Sequence, residues 1–350
     1  MRIPPHAAAQ PGIAADRFAR EIVAILKLSP SALAATECQP VGPKASCTRN
    51  EPLTLVTLHL RSMYTRTMTS NSHSSDISTL STDIAQAFDI AGELHVLPGG
   101  EGRTYRAGNI IYRRETNVAE ASYLADVYHH LPEIGFRIPK PIRTRYDEWV
   151  SLTGWSAWTF VTGRLATQDD VLVVIPAIRA FHHALASQPY PAHLATRDTP
   201  YDRADQAAWD TPPDTIDPRL LPVVKQLLHL RQPIDSLPTQ LIHGDLNEEN
   251  ILIEAGIPPA IIDFTPYWRP PEFALAVLAY WLGSYQGDMA ILRAFAQVRE
   301  FDQMLVRSAL RMILISHEFS KQGGSLEHAV EEFQTPVRII AEWINQRERL

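Results

Sequence analysis

The stretch of this chain best equipped for chemistry is LIHGDLNEENILIEAGIPPAIIDF, residues 241 to 264. Two short apolar runs each end near a carboxylate: Asp245 just after Leu241-Ile242-His243, and Asp263 just after Ile261-Ile262. Between them Asn250 opens a third apolar run, Ile251-Leu252-Ile253. A hard cation such as Mg2+ takes oxygen ligands, a few from protein and the rest from phosphate and water. Asp263 and Asn250 are ligands of that kind, and Asp245 is placed to accept the proton of an attacking hydroxyl or to orient it. A metal clamp and a positioned nucleophile are the parts that phosphoryl transfer needs, with little covalent work for the protein. The bland alternative is a pair of buried acidic caps beside a satisfied histidine.

Such a loop needs a frame, and the hydrophobic pattern supplies one. Thr104 to Arg106 and Ile110 to Arg114 form two strands around the turn Ala107-Gly108-Asn109, a hairpin signal. Asn117 to His130 carries an apolar helical stripe, Val118, Ala121, Leu124 and Val127. Two further strands are expected around Arg143 to Tyr146 and Trp155 to Val161. Beyond Gly163 helices dominate: Asp170 to Ser187, Arg219 to Leu230, Pro271 to Tyr285, Asp288 to Gln303, and two more to the C-terminus. Short strands interrupt them at Gln240 to His243, Ile251 to Glu254 and Ala260 to Asp263. The pattern predicts an α+β protein with a small N-terminal sheet lobe and a larger, mainly helical C-terminal lobe. Residues 1–82 read as an extension without a core, since more than half of residues 62–82 are Ser or Thr.

Composition narrows the function classes. With 350 residues the chain is long enough for two lobes. Its net charge of −7 disfavours a general nucleic-acid binder. The longest apolar run, Phe273 to Leu282, falls well short of the roughly 18 residues of a membrane span. Two cysteines, Cys38 and Cys47, make neither a disulfide framework nor a four-ligand zinc site, so the cytoplasm is the expected compartment.

HGDLNEEN followed by IIDF resembles the catalytic loop and metal-binding Asp of the aminoglycoside phosphotransferase and choline kinase superfamily, relatives of the protein kinases. The resemblance implies a bilobal protein-kinase-like fold, with lobes at 83–157 and 164–350 and a hinge at 158–163. It implies a Mg-ATP-dependent phosphotransferase, with GTP as the other candidate nucleotide, acting on a hydroxyl- or amine-bearing small molecule. Asp245 would be catalytic, and Asn250 and Asp263 would hold Mg2+. PGGEGRTYRAGN is similar to the loop over the nucleotide phosphates, which would bring in Gly99, Gly100 and Gly102. Those glycines are equally an ordinary turn. Thr159 and Val161, in WTFVTG, would meet adenine at the hinge. Asn247 stands where protein kinases place a Lys, which favours a small-molecule acceptor. The tracts GFRIPKPI, GWSAWTFVTGR and WRPPEFALAVLAYW resemble a bacterial branch of the superfamily and specify no substrate.

One departure bears on mechanism. The strand Lys that holds nucleotide phosphates in kinases has no counterpart, because there is no Lys between Lys44 and Lys140. Arg113 stands at the matching place, and the helix acid that would pair with it is Glu120, which also completes the capping pattern Asn117-x-x-Glu120. Arg is planar and bidentate, so the exchange is not silent. Two alternatives follow: a kinase-fold nucleotide-binding or regulatory protein with weak or no turnover, and a metal phosphoesterase, which lacks further His ligands near the loop. Six aspartates between Asp198 and Asp217 would favour a cationic acceptor if they face the cleft, and are otherwise a solvated loop.

Overall fold

The structure is a computed structural model that describes residues 77–89, 92–97, 103–234 and 237–347. Gly99, Gly100 and Gly102 lie outside the described residues, as does nearly all of the expected N-terminal extension. Among the described residues the first helix, α1 (Ile77–Ala87), starts inside that extension rather than after residue 82. Ile77, Leu80 and Ile84 recur at helical spacing through the Ser/Thr-rich composition.

The sheet lobe is then built by β1 (His95–Val96), β2 (Thr104–Ala107), β3 (Ile110–Arg114), α2 (Val118–His130), β4 (Pro141–Ile142) and β5 (Trp155–Thr159). The strands pair antiparallel in the order β1-β2-β3-β5-β4. Gly108, at φ 57°, supplies the positive dihedral that the tight β2–β3 turn needs. Tyr112 lies opposite Ala157 and Arg113 opposite Ser156. Tyr112, Trp155 and Ala157 join Ile84, Phe88, Leu94 and Ala107 in one core. Alternation therefore sends Arg113 and Ser156 to the other face. Asn117 caps α2, its Oδ1 accepting from the Glu120 N–H at 3.1 Å. The strand expected at Arg143 to Tyr146 is instead a turn. Thr144 Oγ1 accepts from the N–H groups of Tyr146 and Glu148, and Asp147 adopts a left-handed φ of 62°.

The helical lobe comprises β6 (Arg164–Leu165), α3 (Val171–Leu185), α4 (Pro200–Trp209), α5 (Leu221–Leu230), β7 (Gln240–His243), β8 (Ile251–Ile253), β9 (Ala260–Ile261) and β10 (Pro266–Arg269). It continues with α6 (Pro271–Ala279), a π-helical turn (Tyr280–Tyr285), α7 (Met289–Leu292), α8 (Phe301–Ser320) and α9 (Ala329–Arg347). Two small sheets, β6-β8-β9 and β7-β10, lie in this lobe. Nearly the whole length of α8 is buried. The single helix expected over Asp288 to Gln303 is broken, because Glu300 at φ 51° resets the chain before α8. The aspartate-rich tract is partly helical: Thr199 and Asp202 form a capping box that starts α4, with Pro200 in the first turn. No helix among the described residues is long and apolar enough to cross a membrane.

Gly244 joins β7 to the loop that follows, and its backbone carries no side chain because Tyr267 of β10 fills the space. A Cβ built there would sit 2.1 Å from Tyr267 Cδ2. Tyr267 is itself buried, so it has nowhere to go. Gly244→Ala should destabilise the fold by roughly 2–3 kcal/mol, the scale of overpacking a core. A denaturant titration showing no loss would mean that the β7–β10 ladder opens freely.

A second test concerns α9. Glu332 accepts a hydrogen bond from the Tyr285 hydroxyl at 3.0 Å, and burial pushes its pKa up to about 8. The folded state thus holds a proton that an unfolded glutamic acid, with a pKa of about 4.3, releases. Stability is full below about pH 4 and declines as pH rises through about 8. Glu332→Gln should match the parent near pH 4 and unfold at a higher temperature at pH 9. An identical difference at both pH values would sink the assignment.

Candidate active site

His243 closes β7 and is fully buried. Its Nδ1 accepts from the Asp245 N–H at 3.2 Å, so its Nε2–H donates to the Ile262 carbonyl at 3.1 Å. Its own backbone N–H donates to His182 Nε2 at 3.2 Å. Burial lowers both imidazole pKa values, to about 4 for His243 and about 3 for His182. Both rings are neutral at physiological pH, and the acceptor nitrogen of His243 is spent on the loop. His243 is a brace between the Asp245 loop and the segment ending at Asp263, and not a base.

The loop itself is tied by its amides. The Asp245 carbonyl accepts from Asn250 Nδ2 at 2.7 Å and from Asn247 Nδ2 at 3.2 Å. Asn247 Oδ1 accepts from the Glu249 N–H at 2.9 Å, capping the short 3-10 turn Glu248–Asn250. The Ile262 N–H donates to the Asn250 carbonyl at 3.0 Å, joining Asn250 to the residue before Asp263. With its amide nitrogen on the loop, Asn250 has Oδ1 as the atom to offer a cation. Asp263 holds a left-handed φ of 52°, a conformation Asp tolerates better than most residues. Its side chain is about half exposed and pairs with Arg113 of β3, Nη1 to Oδ1 at 2.7 Å. The structure therefore brings Asp245, Asn250, Asp263 and Arg113 together.

Behind Gly244 lies a buried cationic cluster that no short sequence motif announces. Arg311 of α8 donates to the Gly244 carbonyl and lies 3.6 Å from Asp205, with its guanidinium 4.5 Å from the Tyr267 ring centre. Arg269 holds the other Asp205 oxygen at 2.8 Å. Burial lowers the Arg311 pKa, but Tyr267, Asp205 and Asp245 together outweigh it and leave the value raised. The one available signal was Arg307 and Arg311 spaced four apart within an apolar helical run.

Glu120 does not meet Arg113. Its Oε2 lies 3.2 Å from Arg197 Nη1 and 3.6 Å from His193 Nε2, on the stretch leading into α4. Arg197 also binds Asp202 at 2.8 Å and the Pro266 carbonyl at 2.9 Å. Arg113 has Glu115 as a second acidic neighbour, Nε to Oε2 at 3.9 Å. Burial raises the Glu115 pKa, against the pull of Arg113 and of the Ser156 hydroxyl. Thr159 ends β5, where its N–H donates to the Lys140 carbonyl at 2.8 Å and its hydroxyl accepts from the Lys140 N–H at 2.8 Å. Val161 follows in the connector to β6. Gly163 packs that connector onto β8, where a Cβ would come 2.9 Å from Leu252 Cβ.

Four of the six aspartates from 198 to 217 are paired with arginine. Asp198 pairs with Arg203, Asp202 with Arg197, Asp205 with Arg269 and Arg311, and Asp217 with Arg219. Trp155 and Tyr267 are core residues, and Trp209 packs edge-on against Phe273. A cavity of about 300 Å3 is lined by Ala166, Gln168, Asp169, Glu248, Leu282 and Gln286 among others. It reaches the loop only through Glu248, and Asp245, Asn250 and Asp263 do not line it.

Three solved structures share this arrangement of lobes. An amicoumacin kinase in complex with AMP-PNP and Ca2+ is 16% identical, with a TM-score of 0.52 over 77% of this chain and 94% of its own. A spectinomycin phosphotransferase in complex with ADP and its antibiotic is 16% identical, with a TM-score of 0.53 over 76% and 98%. An aminoglycoside phosphotransferase from Alicyclobacillus acidocaldarius is 14% identical, with a TM-score of 0.53 over 77% and 96%. At these identities the likeness establishes the bilobal kinase-like fold. No curated protein matches the sequence. The family model described as phosphotransferase enzyme family (APH) matches residues 99–308, which takes in β3, α2, the Asp245 loop and Asp263. Since that match spans more than half of the chain, this protein belongs to the APH phosphotransferase enzyme family.

Proposed function

We propose that the chain is a Mg-ATP-dependent phosphotransferase whose acceptor is an alcohol group on a hydroxyl- or amine-bearing small molecule. The observation that carries this reading is the convergence of Asp245, Asn250 and Asp263 on one hydrogen-bonded frame, with Arg113 reaching Asp263 from the sheet lobe at 2.7 Å. The donor set fits Mg2+. Asp263 and Asn250 offer hard oxygens, and among the described residues no cluster of three or more His, Cys, Asp or Glu could hold a metal alone. A cation seated there must take the rest of its shell from phosphate and water, as Mg2+ does. Held by Asp263 and Asn250, Mg2+ would supply positive charge to offset the negative charge that develops in phosphoryl transfer.

In the transfer, the acceptor oxygen forms a bond to the γ-phosphorus while the bond to the β–γ bridging oxygen breaks and ADP departs. Asp245 takes the hydroxyl proton and later returns it to solvent. Arg113 binds the nucleotide phosphates in place of the usual Lys, and the connector at Thr159 to Val161 borders the base. Glu120 anchors α2 to the C-terminal lobe through Arg197. Recognition of a cationic acceptor gains little from Asp198, Asp202, Asp205 and Asp217, each of which is already paired with arginine.

The Arg113–Asp263 pair also favours a second reading, a nucleotide binder without turnover, because the carboxylate that should hold metal is engaged by a guanidinium. Arg113→Lys separates the two. A working enzyme adapted to Arg should lose activity, and a degraded one should gain it.

Two measurements test the main reading. Mg-ATP at about a hundred times its dissociation constant should add roughly 2.7 kcal/mol and raise the unfolding temperature of the full chain by several degrees. EDTA or Asp263→Ala should remove that rise; no rise with either Mg-ATP or Mg-GTP at millimolar concentration would exclude the nucleotide site. Asp245→Asn should keep the Mg-ATP shift yet slow ADP release with an amino-sugar and amino-alcohol panel by about 100-fold or more, the scale of losing general-base catalysis. An unchanged rate would remove Asp245 from the reaction.

A further inference from the structure

Arg113 has Asp263 and Glu115 as acidic neighbours among the described residues, and neither is the helix acid. Its Nη1 is on Asp263 at 2.7 Å and its Nε faces Glu115 Oε2 at 3.9 Å. Glu120 is held elsewhere, by Arg197. Glu115 sits immediately past β3 and is fixed from several sides. Its N–H donates to the Gly154 carbonyl at 2.8 Å, and its Oε1 accepts from Ser156 Oγ at 2.5 Å. Ser156 is 1% exposed, lies directly across the ladder from Arg113, and accepts from Trp158 Nε1 at 3.0 Å. The Glu115 side chain is 13% exposed, against 44% for Arg113. The acid is anchored and the guanidinium reaches out from it.

We infer that Glu115, and not Glu120, is the residue that positions Arg113 for the nucleotide phosphates. The inference rests on the phosphotransferase reading. It also accounts for the Arg. A guanidinium presents Nε and Nη donors in a fixed fork, so one side chain can face two carboxylates at once, which a single ammonium cannot do with that geometry. When Mg-nucleotide takes Asp263, Glu115 retains the Nε edge, and the Nη edge turns from carboxylate to phosphate. Trp158, Ser156 and Glu115 are then a hydrogen-bonded file running from beside the connector to the phosphate-binding cation.

The test is titration of the full chain with Mg-ATP and, separately, with adenosine, which lacks phosphates. Glu115→Gln should weaken Mg-ATP about 3- to 10-fold, the range for a part-buried charged partner, and leave adenosine unchanged. In an Arg113→Ala background the same substitution should cost nothing further. Ser156→Ala, which keeps the carboxylate and removes its anchor, should weaken Mg-ATP in the same direction by a smaller factor. This variant decides the matter if Glu115→Gln does not fold. Unchanged Mg-ATP affinity, parallel loss of Mg-ATP and adenosine, or an undiminished effect in Arg113→Ala would each overturn the assignment. Failure of the parent protein to bind Mg-ATP at all would overturn the phosphotransferase reading first, before any substitution is made.

Discussion

His243 gives up its titrating chemistry to hold two chain segments at a fixed spacing. One ring nitrogen takes the Asp245 N–H, the other gives its proton to the Ile262 carbonyl, and the backbone beneath is held by His182. Asp245 and Asp263 lie past the ends of β7 and β9, which share no ladder; the ring joins their segments on one side, and the Gly244 N–H, donating to the Thr265 carbonyl at 2.9 Å, joins them on the other. A buried neutral imidazole does this well because it bonds at opposite ends of a rigid ring. It stays neutral because burial depresses its pKa to about 4. Phe264 packs edge-on against that ring and against Phe181, which extends the brace into α3.

Arginines form the second layer of organisation. Arg311 is fully sequestered, and a buried charge is tolerated only when its partners replace water. The Gly244 carbonyl accepts a hydrogen bond from Arg311, and Asp205 at 3.6 Å and the Tyr267 ring add electrostatic attraction. Tyr267 in turn lies between two guanidinium groups, with Arg197 at 4.8 Å on its ring and Arg311 at 4.5 Å. Through Arg197 the same ring is linked to Glu120 and hence to α2. The helix of the sheet lobe and the loop of Asp245 thus lean on one aromatic side chain.

How much of this the sequence disclosed depended on the range of the interaction. The hairpin at Gly108, the cap at Asn117 and the strand ending at His243 are local devices, and their residues announce them. The order Asp245, Asn250, Asp263 is likewise a local spacing, and the frame around it was legible for that reason. Arg143 to Tyr146 misled because its side chains suit a strand, while the deciding bonds come from one hydroxyl, Thr144. The helix α4 was hidden beneath its aspartates, although Thr199, Pro200 and Asp202 spell a helix start. The pairing of Glu120 with Arg197 spans 77 residues, and the bond from Arg311 to Gly244 spans 67. No periodicity or short motif encodes such distances. They exist because packing brings α8 and α4 beside the β7–β10 ladder.

The pairing of Asp198, Asp202, Asp205 and Asp217 with arginines has a kinetic meaning. Opposite charges held a few ångströms apart cancel beyond their own separation, so these four carboxylates project little field into solvent. An acceptor approaching the helical lobe is not drawn in by these four from afar. Their contribution to encounter with a charged acceptor should therefore be small, leaving fit and dehydration at contact as what this tract can offer to selection.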